Sequence, residues 1–411
     1  MKRKLGACLL AALLCLPMAA GALTAEERLA DLDALCAGLE AGHKNLHAVV
    51  SREEFAQKRE EAARRIAGMD DAAFFYELRQ LTAAIGDAHT TLAYSDSPYA
   101  HLRALPFAVR QWQERWYLAM VDEPNGQYLG WEVTAIDGVP MAEVFTRAKG
   151  IISHENDVWA AQQFSNTINF LEALQFLGVT DAQAQGVTLA LASRDGERES
   201  ELFLPGMSEQ EIMAARIVSL QAEATAATAP SGVYRAMGLS ERTLFLQYNA
   251  CMEVPDLPMR DFAQQVEALL VQNGYDTLLL DLRYNAGGDS SVWWPLREVL
   301  ENVQARQGLT VYTLIGAQTF SSGIIDALES REYLGATLVG ASTGGSVNGF
   351  GELKSFSLPN SPVTVWYSTK YFELVPGYEG SSLMPDIPVE ETLEDWLAGR
   401  DSVVEAVLEL L

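Results

Sequence analysis

The stretch Leu309–Gly345, LTVYTLIGAQTFSSGIIDALESREYLGATLVGASTGG, limits the possible folds more than any other part of the chain. Leu309–Ile315 is an apolar, β-branched run of buried-strand length that Gly316 ends. Thr319-Phe320-Ser321-Ser322-Gly323 is a turn of small residues, Ile324–Leu334 has helical spacing, and Ala336–Gly340 begins another strand. A serine between a buried strand and a helix N-terminus stands where free N–H groups and the helix dipole can receive developing negative charge. Ser321 and Ser322 equally suit simple capping of the helix.

The same alternation begins at Thr243. Leu244–Tyr248 reads as a strand, Met259–Asn273 as an amphipathic helix, and Thr277–Leu282 as a continuous apolar strand of the kind buried in parallel sheets. Asp281-Leu-Arg-Tyr-Asn-Ala-Gly-Gly-Asp289 then leads into a helix from about Val292, and this strand, Gly-Gly turn and helix start form a backbone cradle for an anion. Phe350–Phe356 and Val363–Tyr367 read as a hairpin, Met384-Pro-Asp-Ile-Pro-Val389 follows, and a last helix starts at Glu391.

Upstream, three helices are expected. Thr24 precedes the first, with Leu29, Leu32, Leu35 and Leu39 on one face. Ser51-Arg-Glu-Glu54 is a capping box for the second, and Asp70 or Asp71 opens the third. They end at Gly86-Asp87-Ala88-His89-Thr90. Between Leu105 and Pro205 the pattern changes to short strands, Trp116–Val121, Gly130–Ile136 and Val187–Ala192, with an Asp137-Gly138 turn and a helix over Trp159–Leu177. The strand and turn Tyr128–Pro140 resemble part of a PDZ-like module, and the Ala/Thr/Gln-rich Leu220–Pro230 reads as a linker.

The net charge of −26 opposes nucleic acid and anionic membranes as partners. Lys2-Arg3-Lys4, the apolar run Leu5–Ala20 and Ala20-Gly21-Ala22 form the pattern of a secretory signal peptide cut after Ala22, and no later stretch is of transmembrane length. The expected location is therefore secreted or extracytoplasmic. Beyond that segment only Cys36 and Cys251 remain, too few for a disulfide framework or a zinc cluster, and whether they pair is left open. His43, His47, His101 and His154 show no metal spacing and are taken as structural, and neither a metal nor a cofactor is expected.

Several spaced motifs occur in one order: Asp281-Leu-Arg-x-Asn-x-Gly-Gly, Thr319-Phe-Ser-Ser-Gly, Gly340-x-x-Thr-Gly-Gly345 and Pro385-Asp-Ile-x-Val389. Together with Gly86-Asp-Ala-His-Thr90 they resemble the tail-specific (C-terminal processing) and tricorn-type serine peptidases. The resemblance runs from about Phe75 to Val389. It implies an α/β fold, α+β overall: a ClpP/crotonase-like peptidase core over residues 231–411, an N-terminal helical bundle over 23–92, and a PDZ-like insertion and linker over 93–230, with 1–22 as the signal peptide.

In the processing branch the serine pairs with a downstream lysine. That position here is Ser346, no lysine lies between Ser321 and Lys354, and Lys354 would need a shifted alignment. In the tricorn branch the base is the histidine of the Asp-x-His-Thr segment, assisted by a glutamate before Pro-Asp. The resemblance thus implies Ser321 as nucleophile, His89 as base and Glu379 as its helper, although Ala88 stands where that branch has a serine. A serine hydroxyl needs such a base, and the base gains positive charge that a carboxylate stabilises. Backbone N–H groups of Gly287 or Gly288, with that of Ser322, would receive the oxyanion. The implied activity is hydrolysis of peptide bonds in extended polypeptide segments. A catalytically weakened relative that binds peptides is the alternative, and a non-peptide acyl hydrolase is a third, less favoured for want of a G-x-S-x-G elbow.

Overall fold

Side chains in the strands Thr243–Tyr248, Thr277–Asp281, Thr310–Ile315 and Thr337–Gly340 are divided between two apolar layers by the two-residue period of a strand. Leu244, Leu246, Leu278, Leu280, Val311 and Ile315 face the helices Met259–Asn273, Trp294–Gln307 and Ser322–Leu334. Phe245, Leu279, Leu314 and Val339 face Val403, Val404 and Val407 of the helix Ser402–Leu408. This is why these strands read as unbroken apolar runs: both faces are covered. The computed structural model describes residues 22–223 and 225–411. The expected signal peptide falls, Ala22 excepted, outside the described residues.

The central sheet has six strands in the order Ile387–Pro388, Thr337–Gly340, Thr310–Ile315, Thr277–Asp281, Thr243–Tyr248, Tyr234–Gly238. All neighbours are parallel except the last pair. The strands 277–281 and 310–315 therefore carry their C-terminal turns to one edge of the sheet, where sites in such sheets are built. The mixture of helix and sheet agrees with the expected α/β class.

A second sheet brings the N-terminal region to that edge. Thr91–Tyr94 pairs antiparallel with Val363–Glu373, which pairs with Asn348–Ser357. The helices Ala25–Gly42, Arg52–Arg65 and Asp71–Ala83 carry the expected caps at Thr24, Ser51 and Asp70. Their apolar faces share one core with Leu92, Val363 and Val365, so the helices are built onto this hairpin. Asp31, fully buried, accepts from the N–H groups of Asn360 and Ser361 at 2.9 and 2.8 Å. Close approach of the first helix depends on Gly38, where a Cβ would meet the Phe356 ring at 2.3 Å.

The middle of the chain forms an antiparallel sheet of seven strands: Phe107–Trp112, Arg115–Asp122, Glu132–Ile136, Gly186–Ala192 and Glu199–Pro205 in order, with Val139–Pro140 paired to Glu132–Ile136 and Ile217–Ser219 to Arg115–Asp122, and it has its own apolar core. The single helix expected over Trp159–Leu177 is two, Asp157–Ile168 and Leu171–Phe176. Between them, the Asn169 carbonyl and the Leu171 N–H pair with Leu105 and Arg103, which pulls the backbone out of the helix. The terminal helix is likewise two, Leu393–Leu397 and Ser402–Leu408. Gly399 (φ 72°) lies in the break, and Asp401 is drawn to Arg283 at 2.8 Å. Cys36 and Cys251 are free and buried, each in a different core. No helix among the described residues is long and apolar enough to cross a membrane.

Candidate active site

Ser321 sits between the strand 310–315 and the helix Ser322–Leu334 with φ 52° and ψ −126°, a conformation costly for a residue with a Cβ, by about 1–3 kcal/mol. The surrounding hydrogen bonds impose it. The N–H of Phe320 donates to the Asn285 carbonyl at 2.9 Å, Thr319 Oγ1 to the Leu282 carbonyl at 2.8 Å, and the Gly345 N–H to the Thr319 carbonyl at 3.0 Å. The turn pushes the Ser321 side chain out of the sheet edge, as in a nucleophile elbow. Ser322, in contrast, is turned inward, and its hydroxyl donates to the Gly288 carbonyl at 2.7 Å.

The Gly-Gly turn lies directly against this serine. Gly287 has φ 97°, and a Cβ there would stand 2.6 Å from the Ser321 Cβ. Its N–H is engaged, donating to Asn285 Oδ1 at 2.9 Å. Of the expected oxyanion donors Gly287 is thus turned away, because the Asn285 side chain folds back over the turn. The N–H groups of Gly288 and Ser322 make no hydrogen bond among the described residues.

His89 comes from the far end of the sequence. Its Nε2 lies 3.1 Å from Ser321 Oγ. The adjacent strand 91–94 fixes the backbone, and the ring stacks on Phe320 at 4.6 Å, which in turn stacks on Trp159 at 3.9 Å. Burial depresses the His89 pKa below the usual histidine value, with the charge of Asp87 opposing. A neutral ring with Nε2 free to accept is the form a general base needs.

Asp87 is fully buried beside it, its oxygens accepting from His43 Nε2 at 3.0 Å, the Thr90 hydroxyl and the His89 N–H at 2.9 Å. Burial works against the Asp87 charge, but the hydrogen bonds from His43 and Thr90 outweigh it and hold the carboxyl below the usual aspartate value. His43, taken from sequence as structural, anchors this carboxylate. Asp87 Oδ1 is 3.8 Å from His89 Nδ1, beyond a good hydrogen bond.

Two further groups come from the middle of the chain. Asn156 Nδ2 donates to the Gly344 carbonyl at 3.0 Å, which docks the segment 151–157 against the 343–347 loop. Glu155, next to it, lines the site. Burial, with Asp87 adding to it, pushes its carboxyl up to about 7. A ring nitrogen of His89 and carboxylate oxygens of Asp87 and Glu155 lie within 4.8 Å of one another. Asp87 spends both oxygens on protein donors, and the three groups together can hold and exchange protons.

Glu379, expected as helper, stands exposed in the 376–382 loop, where it makes no hydrogen bond or ion pair among the described residues and does not line the site. Tyr378 beside it bonds the Ser382 carbonyl at 2.6 Å, closing the loop on itself. Lys354 is exposed on the strand 348–357, away from the lining. Asp87 was present in the Asp-x-His-Thr motif and could have been read as the carboxylate near the base. Glu155 has no motif, and only the fold brings it here.

Around Ser321 opens a cavity of about 310 Å³. Ile325, Val347, Phe350, Phe372 and Leu374 form its apolar side, and Asp289, Ser290, Ser346 and Glu352 its polar side. An extended side chain beside a reacting carbonyl would find room there.

No family model and no curated protein sequence matches the chain. Solved structures do. Mature CPAF complexed with lactacystin aligns over 94% of this chain and 97% of that one, with a TM-score of 0.63 at 15% identity. Mature CPAF crystallised separately aligns over 94% and 96%, with a TM-score of 0.64 at 14% identity. The photosystem II D1 C-terminal processing protease aligns more loosely, over 93% and 99%, with a TM-score of 0.39 at 13% identity. At these identities the likeness concerns the fold, and it agrees with the expected α/β class. The chain is built as the tail-specific, S41-type serine peptidases are.

Proposed function

We propose that this chain is an exported serine endopeptidase that hydrolyses peptide bonds in extended polypeptide segments. The observation that carries the reading is the 3.1 Å approach of His89 Nε2 to Ser321 Oγ across 232 positions of sequence. Capping alone would require no histidine from so far away.

In this reading, substrate enters the cavity with a side chain against Ile325 and Val347 and its carbonyl over Ser321. His89 Nε2 takes the proton as Ser321 Oγ attacks, and the imidazolium then gives it to the leaving amine. The oxyanion accepts from the N–H groups of Gly288 and Ser322, each such donor worth about 3 kcal/mol of barrier. Water, deprotonated by the same ring, releases the acyl group. The N-terminal leader pattern supports export, and the cavity walls support a polypeptide substrate.

A fluorophosphonate probe tests the reading. The protein should be labelled at Ser321, and His89→Ala should abolish most labelling with an unchanged melting temperature. A wild-type protein that neither reacts nor cleaves an unfolded protein substrate refutes it.

A further inference from the structure

We propose that Glu155, carried into the site by the middle segment of the chain, is the positioning residue for His89: it steadies the ring and its positive charge while Ser321 gives up its proton. This rests on the peptidase reading above and supplies the carboxylate that Glu379 does not.

Three observations converge on Glu155. First, its Oε1 is buried without a hydrogen-bond partner, and so is His89 Nδ1, the nitrogen that a catalytic base must turn toward an acceptor once it is charged. Two unsatisfied polar atoms in one small cluster are costly unless they serve each other during turnover. Second, His89 and Glu155 belong to a single group within 4.8 Å, a gap that tightens readily when substrate seals the cavity, as catalytic hydrogen bonds do. Third, the other carboxylate in reach is already committed. Asp87 is held by His43, Thr90 and the His89 N–H and serves as a fixed charge.

Proton balance is simple. With Glu155 ionised, Ser321 Oγ–H passes its proton to Nε2, Nδ1–H donates to the Glu155 carboxylate, and no proton need leave the ring until the amine departs. With Glu155 protonated, that stabilisation is lost. The groups facing Glu155 are Asp87, the Ala88 backbone and His89 from the 87–90 turn, Ser346 from the 343–347 loop, and the Gly349 backbone. On its own segment His154 bonds the Ile152 carbonyl and Asp157 pairs with Lys149, both directed elsewhere. Burial, with the charge of Asp87 adding to it, raises the Glu155 pKa, so ionisation to the active form falls near neutrality rather than in the acid range.

The test compares wild type, Glu155→Gln and Glu155→Asp in kcat and KM for a peptide substrate as pH varies, with Ser321 labelling measured alongside. Wild type should gain activity with a midpoint near 7, the value to which burial pushes this carboxyl. Glu155→Gln should lower kcat by roughly a hundredfold with little change in KM, and its remaining limb should shift below 6.5, to that of His89 alone. Glu155→Asp should recover part of kcat and the limb near neutrality. A Glu155→Gln enzyme with wild-type kcat and midpoint overturns the proposal, as does equal loss in both variants with an unmoved profile. If Ser321 is labelled normally in those cases, the peptidase reading survives. A wild type that neither labels nor cleaves removes both.

Discussion

At Ser321 the backbone is held at φ 52° by neighbours that each use a different hydrogen bond, so the strain belongs to the turn and not to the hydroxyl. Replacing the side chain separates the two. Ser321→Ala keeps the strained Cβ, whereas Ser321→Gly removes it, so the glycine variant should unfold at higher urea, by about 1 kcal/mol relative to the alanine variant. Both should be inert to the fluorophosphonate. Equal stability of the two would mean that the turn relaxes once the serine is gone. Gly287 tests the opposite side of the same contact. Its virtual Cβ stands 2.6 Å from the Ser321 Cβ and 2.8 Å from the Ser322 nitrogen, at φ 97°. Gly287→Ala should therefore cost about 1–3 kcal/mol and most of the peptide turnover, because either the serine or its neighbouring N–H must move. Unfolding curves and turnover read side by side would show it.

At the scale of elements, the site depends on three pieces of chain meeting at one sheet edge. The strand–turn–helix around Ser321 was legible because both faces of its strand are covered, which leaves an apolar run with sharp glycine ends. The N-terminal helices were legible from Thr24, Ser51 and Asp70, whose side chains cap as their spacing requires. Their support was not, since the pairing of Thr91–Tyr94 with Val363–Glu373 leaves no local trace in either strand. Glu155 was hidden for the same reason: it lies between Gly150 and a helix cap, and only the folded contacts, the Asn156 bond to Gly344 and the Trp159 stack on Phe320, bring the segment to the core. Of the two glycines offered as oxyanion donors, Gly287 has its N–H taken by the Asn285 side chain, whose fold-back no spacing encodes. Asn156→Ala follows from this. It removes both the cap of the helix Asp157–Ile168 and the bond to Gly344, at a cost of about 1 kcal/mol. Ser321 should still react with the probe, since His89 is fixed by other elements. Peptide turnover should fall by roughly tenfold as Glu155 drifts, a loss of about 1.4 kcal/mol in the barrier. Parallel loss of labelling and turnover would instead tie the segment to His89 itself.

Across the whole molecule the candidate site and the fold respond to pH in opposite directions. Asp87 and Asp401 are both held below the usual aspartate value, with burial opposing in each. Hydrogen bonds from His43 and Thr90 outweigh it at Asp87, and the Arg283 guanidinium does so at Asp401. Depressed carboxyls contribute stability that is present above their unfolded pKa of 3.8 and lost as the pH falls through the lower folded values. Glu155 has the other sign. Its carboxyl is raised from 4.5 to about 7, so the folded state holds a proton the unfolded chain has already released, and stability declines as the pH rises between those values. Above 7 the full cost is present, about 3 kcal/mol. Glu155→Gln removes the charge and keeps the shape. Its melting temperature should exceed that of wild type above pH 7, and the difference should shrink through the intermediate range and vanish below 4.5, where both proteins carry a neutral side chain. Thermal unfolding of the two proteins across that range measures it. The variant that is slowest in turnover would then be the more stable one in the range where the enzyme works, as expected when a buried charge is kept for chemistry rather than for folding. A difference that grows toward acid would mean that Glu155 is paired as an anion in the folded state, and its carboxylate would then be a structural ion partner instead of the support that His89 needs during turnover.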